Sequence, residues 1–155
     1  MNIYFAGSIR GGRADAQTYH RIVEHIKALG HRVLTEHVGD LNLKESRGDK
    51  AIYEQDTGWL RESDMLIGEC TTPSLGVGYE LAYAERFGKP CHLFYNKQKC
   101  DLSAMLTGNP YFHIHPYSTD AELMEQLDEV LQPSTFSYNI TLESQQLLIL
   151  EKNAN

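Results

Sequence analysis

The sequence predicts a three-layer, doubly wound α/β fold built on a five-stranded, mostly parallel sheet in the order 2-1-3-4-5. Three observations carry this. Ile3-Tyr4-Phe5-Ala6 and Met65-Leu66-Ile67-Gly68 are short runs without polar alternation, as strands covered on both faces should be. Stretches of helical period separate the strands, and alternating strands and helices imply parallel pairing. Right-handed crossovers then favour the flavodoxin- or Rossmann-like order, with ligands at the carboxyl ends of the strands near the switch between strands 1 and 3.

The elements follow in turn. After the first strand comes a loop, Gly7-Ser8-Ile9-Arg10-Gly11-Gly12-Arg13, then a helix over about 14–29 with Tyr19, Ile22, Ile26 and Leu29 on one face and Gly30 as its stop. Val33-Leu34-Thr35 reads as the second strand, and the polar stretch 39–48 as a mobile loop. A helix over 49–62 leads to the third strand at 65–68. Residues 77–87 form a further helix whose apolar stripe is Val77, Leu81, Ala84 and Phe87. At its start, Gly76 and Gly78 suggest a tight strand-to-helix crossing. The remaining expectations are a strand at 91–95, a short helix at 102–106, an edge strand at 112–115, and a helix from Thr119 to Leu131 opened by a capping box with Glu122. Residues 1–132 make one domain. Residues 133–155 form an extension, read equally as a docking helix over 141–152 or a disordered tail.

Composition narrows the function classes. The 155 residues are 41% hydrophobic and 23% charged, ordinary for a globular protein. A net charge of −7 argues against a general grip on nucleic acid polymer or anionic membrane, without excluding one small anion in a locally positive loop. Cys70, Cys91 and Cys100 form neither a disulfide framework nor a zinc pattern, and thiols near strands suggest a reducing compartment. No signal peptide or membrane-spanning run is evident, so the expected location is the cytoplasm. His113 and His115 share a strand face, and His37 follows the second strand, but no second ligand set stands at metal-site spacing. No metal or cofactor is expected.

Two carboxylates sit where the helical period assigns the interior. Glu80 follows Val77 by three and precedes Leu81 by one; Asp56 lies between Ile52 and Trp59 on the preceding helix. A buried, uncompensated carboxylate costs on the order of several kcal/mol, so each needs a reason. Burial also raises a carboxyl pKa, which suits a general acid, while the plainer role for Asp56 is pairing with a neighbour such as Arg10. The loop Gly7–Arg13 offers flexible backbone, a hydroxyl and two guanidinium groups before a helix N-terminus, which suits a phosphate. It is neither a P-loop nor a dinucleotide fingerprint, and a glycine-rich turn with solvated arginines is the alternative. Two carboxylates near a phosphate loop suggest cleavage of a sugar bond, with Glu80 as nucleophile, Asp56 as proton donor, and the Tyr4 hydroxyl orienting Glu80. His37 is placed on the rim, toward base or sugar.

The segments Tyr4–Arg13, Leu34-Thr35-Glu36-His37-Val38, Glu54-Gln55-Asp56, Pro73–Leu81 and Leu102-Ser103-Ala104-Met105 closely resemble the 2′-deoxynucleoside 5′-phosphate N-hydrolases of the nucleoside 2-deoxyribosyltransferase superfamily. The resemblance spans about residues 3–131. It implies hydrolysis of a deoxynucleoside monophosphate to free base and 2-deoxyribose 5-phosphate. By it, Glu80 forms a glycosyl-enzyme intermediate, Asp56 protonates the leaving base, and Tyr4 positions Glu80 near C2′. Ser8, Arg10, Gly12, Ser74 and Gly76 line the phosphate pocket, Ile9 and His37 the base side, and Gly7 is a further substrate-binding position. Ser103, with Met105, implies a homodimer in which the serine reaches the neighbouring subunit's phosphate. The alternatives are a nucleoside 2-deoxyribosyltransferase, a ribonucleotide N-glycosidase, or a non-catalytic nucleotide-binding module.

Overall fold

Strand β1 (Asn2–Ala6) alternates its side chains between two apolar layers, and the rest of the fold can be built outward from it. The structure is a computed structural model that describes residues 1–44 and 46–132; the helix or tail expected at 141–152 lies outside the described residues. On one face, Ile3 and Phe5 pack with Tyr19, Ile22 and Ile26 of α1 (Ala16–Ala28) and with Leu123, Leu127 and Leu131 of α5 (Asp120–Leu131). On the other, Tyr4 and Ala6 pack with Leu60 of α2 (Asp49–Glu62) and with Val77, Leu81 and Ala84 of α3 (Leu75–Arg86). Two helical layers thus enclose one sheet.

The sheet order is β2-β1-β3-β4-β5, every pairing parallel, with β2 at Arg32–Val33, β3 at Met65–Glu69, β4 at Cys91–Asn96 and β5 at His113–Tyr117. This is the fold and order that the sequence predicts. Helix α4 (Ala104–Thr107) occupies the β4–β5 connection. The capping box before α5 is present: Glu122 N–H donates to Thr119 Oγ1 at 3.2 Å, and the Glu122 carboxylate accepts from Ser118 N–H at 2.7 Å.

Several boundaries differ from the expectation for physical reasons. Strand β2 stops at Val33 because Thr35 replaces the ladder with its side chain: its hydroxyl accepts from Phe5 N–H at 2.8 Å and donates to Phe5 C=O at 2.7 Å. Residues Glu36–Gly39 then form a 3₁₀ turn. Helix α3 begins at Leu75, so Gly76 and Gly78 lie within its first turns instead of in a crossing turn, and Ser74 is the N-cap, accepting from Val77 N–H at 3.4 Å. Phe87, expected on the apolar stripe, is exposed and stacks beside Tyr83. Strand β3 runs one residue further than expected, to Glu69.

Thr35 is 1% exposed, so Thr35→Val would keep its shape while leaving the Phe5 amide and carbonyl unpaired. A loss of about 1–3 kcal/mol in urea unfolding is expected; an unchanged midpoint would show that these two bonds contribute nothing net.

Candidate active site

Strand alternation turns Tyr4 toward the α2–α3 layer, and the α3 period brings Glu80 to meet it. Tyr4, 1% exposed, donates from its hydroxyl to Glu80 Oε1 at 2.9 Å. Burial pushes the Glu80 carboxyl up to about 8; the Tyr4 hydrogen bond pulls it back down, and the charge of Asp56 pushes it further up. Burial, then the charges of Glu80 and Asp56, raise the Tyr4 hydroxyl as well. The three groups therefore share one electrostatic environment. Asp56 is half-buried on α2, and Arg10, the neighbour suggested for it, forms an ion pair with Asp49 at 2.7 Å.

The loops after β1 and β3 converge, as their places at the switch point require. A Cβ on Gly11 would lie 2.7 Å from the Pro73 carbonyl oxygen and 2.8 Å from Ser8 Oγ, so the two backbones meet where only glycine fits. Gly12 holds φ +129°, a conformation that disfavours any side chain. Gly7 and Ser8 are buried, and Ile9 is half-buried against the core. Ser8 is 0% exposed; its N–H donates to the Tyr19 hydroxyl at 3.2 Å, while its own Oγ has no partner among the described residues. Of the two guanidinium groups in the loop, Arg13 is committed to structure, donating to the carbonyls of Val38 at 2.8 Å and Asp40 at 2.6 Å. Arg10 stays at the surface beside the N-terminus of α2.

His37 stands half-buried in the 3₁₀ turn, its ring 5.9 Å from that of Trp59. Gly76 is exposed in the first turn of α3. Ser103 caps α4 and is exposed, and Met105 is 81% exposed. Ser74, Leu75, Ser103 and Met105 line a groove between α3 and α4 that does not include Tyr4, Asp56 or Glu80.

Residues 3–110 match the family model described as nucleoside 2-deoxyribosyltransferase. The chain belongs to the nucleoside 2-deoxyribosyltransferase family. It is 41% identical over 140 residues to a 5-hydroxymethyl-dUMP N-hydrolase of Rattus norvegicus, covering 84% of this chain and 85% of that one. It is 44% identical over 144 residues to the protein of the same description in Danio rerio, covering 87% and 99%. A solved structure of a Clostridium botulinum CMP N-glycosidase aligns with a TM-score of 0.64 at 16% identity, over 84% of this chain and 99% of that chain. At that identity the likeness concerns the fold alone.

Within this family member, some polar groups near the site escaped the reading of the sequence. Glu69 ends β3 at 0% exposure, accepting hydrogen bonds from the Thr71 hydroxyl, from Thr71 N–H at 3.3 Å and from the Tyr117 hydroxyl at 2.9 Å. Burial pushes it up to about 7 against those donors. The signal was one acidic residue closing an apolar run, which reads equally well as a strand end. His92 stacks on His113 at 4.7 Å and contacts His115, and burial lowers it to about 4. Among the described residues, no group of His, Cys, Asp or Glu is arranged to hold a metal.

The raised Glu80 carboxyl has a stability consequence. A carboxyl that titrates near 4.5 unfolded and about 8 folded binds more protons in the folded state between those values, so the wild type loses stability as pH rises through that window. Glu80→Gln removes the ionisation while retaining an acceptor for Tyr4. Its melting temperature should gain on the wild type progressively from pH about 5 to about 8; a constant difference across that range would contradict the assignment.

Proposed function

We propose that this protein hydrolyses the N-glycosidic bond of 2′-deoxynucleoside 5′-monophosphates, releasing free base and 2-deoxyribose 5-phosphate. The supporting observation is the inward-held Glu80, bonded to Tyr4 and within the field of Asp56, in a chain 44% identical to a named 5-hydroxymethyl-dUMP N-hydrolase.

In this reading Glu80 attacks C1′ and forms a glycosyl ester while the C1′–N bond breaks, its electrons leaving with the base. Asp56 supplies the proton that neutralises the departing nitrogen. Water then attacks C1′ of the ester, Asp56 takes its proton, and the Glu80 carboxylate leaves. The transition state carries positive charge at C1′, and a deoxyribose lacks the 2′-oxygen that would withdraw electrons from it. An anion held in a low-dielectric setting stabilises that charge more than one in water. Tyr4 aims the carboxylate and, seated near C2′, disfavours a 2′-hydroxyl.

Ser8, Arg10, Gly12, Ser74 and Gly76 form the phosphate pocket, with the unpartnered Ser8 hydroxyl, the surface guanidinium of Arg10 and the N-terminus of α3 as its chemical basis. Binding the phosphate, remote from the reacting bond, fixes the sugar for attack. Ile9 and His37 line the base side. The phosphate pocket weighs against a nucleoside transferase, whose substrates present an unphosphorylated 5′-hydroxyl.

The working unit in this proposal is a homodimer. Leu75 is 96% exposed and Met105 81%, both beside the α3–α4 groove, and a second copy would cover them. The family resemblance extends Ser103 to the neighbouring subunit's phosphate. The three free cysteines accord with a reducing compartment, the cytoplasm.

Chromatography of each deoxynucleoside monophosphate after incubation, with 5-hydroxymethyl-dUMP included, should show free base and sugar phosphate; matched ribonucleotides should react far more slowly. Glu80→Ala should lose about 10³-fold or more in kcat while still binding nucleotide. Wild-type kcat/KM should rise as pH approaches about 8, where free Glu80 ionises. Wild-type turnover by Glu80→Ala would end the assignment of the nucleophile. Mixed dimers of Glu80→Gln and Ser103→Ala chains should contain one fully wild-type site and one site lacking both groups if Ser103 crosses the interface, and two sites each lacking one group if it does not.

A further inference from the structure

Three loops open at the carboxyl end of the sheet, following β1, β3 and β4, and one side chain of the first contacts the other two. Asp15 immediately precedes α1, at its N-cap. An aspartate there ordinarily accepts from an N–H of the first helical turn. Asp15 makes no such bond. Its Oδ2 instead accepts from the Thr72 hydroxyl at 2.7 Å, and its Oδ1 from Lys99 Nζ at 3.0 Å.

Placement and burial make these contacts more than decoration. Asp15 is 4% exposed, whereas the Lys99 side chain is 56% exposed, so a carboxylate has been taken out of water to meet a lysine that has not. Such a group is costly to bury unless its partners compensate it. Both partners lie on other loops. Thr72 stands two residues before Ser74, the cap of α3, and its methyl carbon is 3.7 Å from where a Cβ on Gly12 would lie. Lys99 stands four residues before Ser103, the cap of α4.

We infer that Asp15 is a positioning residue for the 5′-phosphate: through Thr72 and Lys99 it holds the loops carrying Arg10, Ser74 and Ser103 in one mutual register. This rests on the proposed function, in which those loops receive the phosphate. Asp15 does not touch the nucleotide. Its effect falls on the phosphate end and leaves the Tyr4–Glu80 pair, which stands on β1 and the body of α3, unaltered.

The test separates the phosphate from the rest of the substrate. Asp15→Ala removes both contacts; Asp15→Asn keeps an acceptor for Thr72 and removes the charge partner of Lys99; Lys99→Met leaves Asp15 with Thr72 alone. In Asp15→Ala, KM for a deoxynucleoside monophosphate and the inhibition constant of 2-deoxyribose 5-phosphate should both rise about 10-fold, with kcat changed less than about 3-fold. Asp15→Asn and Lys99→Met should show smaller rises. The inhibition constant of the free base should not move in any of them. Adding Lys99→Met to Asp15→Ala should cost nothing further, since their shared contact is already gone. Equal weakening of sugar phosphate and free base, or sugar-phosphate binding like wild type in all three variants, overturns the inference. Should Asp15→Ala fail to fold, the two milder variants decide. Wild-type inertness toward every deoxynucleoside monophosphate counts against the proposed function instead, and calorimetry of nucleotide binding to the same variants then decides the role of Asp15.

Discussion

The hydrogen bond from Tyr4 to Glu80 is the constraint that gives the site its geometry. It joins a strand and a helix separated by 76 positions in the chain, and both must be correct in register for it to form. Parallel pairing of Tyr4 with Leu66 sets β1 beside β3. The crossover from β3 then lays α3 over the face toward which Tyr4 points. Val77, Leu81 and Ala84 seat that helix by apolar contact, and Glu80, adjacent to Leu81, is carried inward with them. Burial opposes ionisation of the carboxyl, and the phenol partly restores it. A poorly hydrated carboxyl aimed by one donor is suited to meeting positive charge that appears only during a reaction.

The opposite end of the site is built on different terms. Tyr4 and Glu80 belong to the body of the sheet and a helix, but the candidate phosphate groups belong to loops and helix ends. Loops need restraint if they are to bind one geometry. Here it comes from backbone contact at Gly11 against Pro73, from Arg13 tied to the carbonyls of Val38 and Asp40, and from buried carboxylates beneath the β3–α3 connection. Arg10 differs, because its ion pair with Asp49 is solvent-exposed on both sides. An exposed pair of this kind contributes about 0–1 kcal/mol, so it adds little restraint to the loop.

What was legible in the sequence was what depends on neighbours along the chain. The apolar runs at Ile3 and Met65, the stop at Gly30 and the box at Thr119 and Glu122 are local signals, and together they yielded the sheet order. Glu80 was legible too, because a carboxylate on an apolar helical stripe is anomalous wherever the helix packs. Contacts between distant segments were not. The hydroxyl of Thr35 substituting for a strand ladder, Asp49 taking Arg10, and three histidines stacking across β4 and β5 all depend on a register that no local period reveals. The pair Gly76 and Gly78 misled for a related reason: glycine suggests a turn, but the Ser74 cap and the packing of Val77 and Leu81 outweigh a helical penalty of about 1 kcal/mol each.

Two carboxyls at this end of the sheet are raised toward neutrality, and their surroundings differ. Glu69 rises to about 7 and Glu80 to about 8, so the shift alone does not distinguish them. Their hydrogen bonding does. Glu69 is 0% exposed and surrounded by Thr71 and Tyr117, whose three donors occupy its oxygens and tie β3 to β5 and to the following loop. Nothing can reach it without breaking that cluster. Glu80 accepts from Tyr4 on Oε1, belongs to a residue that is half-buried, and lies within the field of Asp56. A raised carboxyl becomes a reagent when it retains an open approach; when donors close around it, it becomes a structural tie. By that criterion Glu80 suits the nucleophile's part in the proposed reaction, and Glu69 the support of the β3–α3 connection.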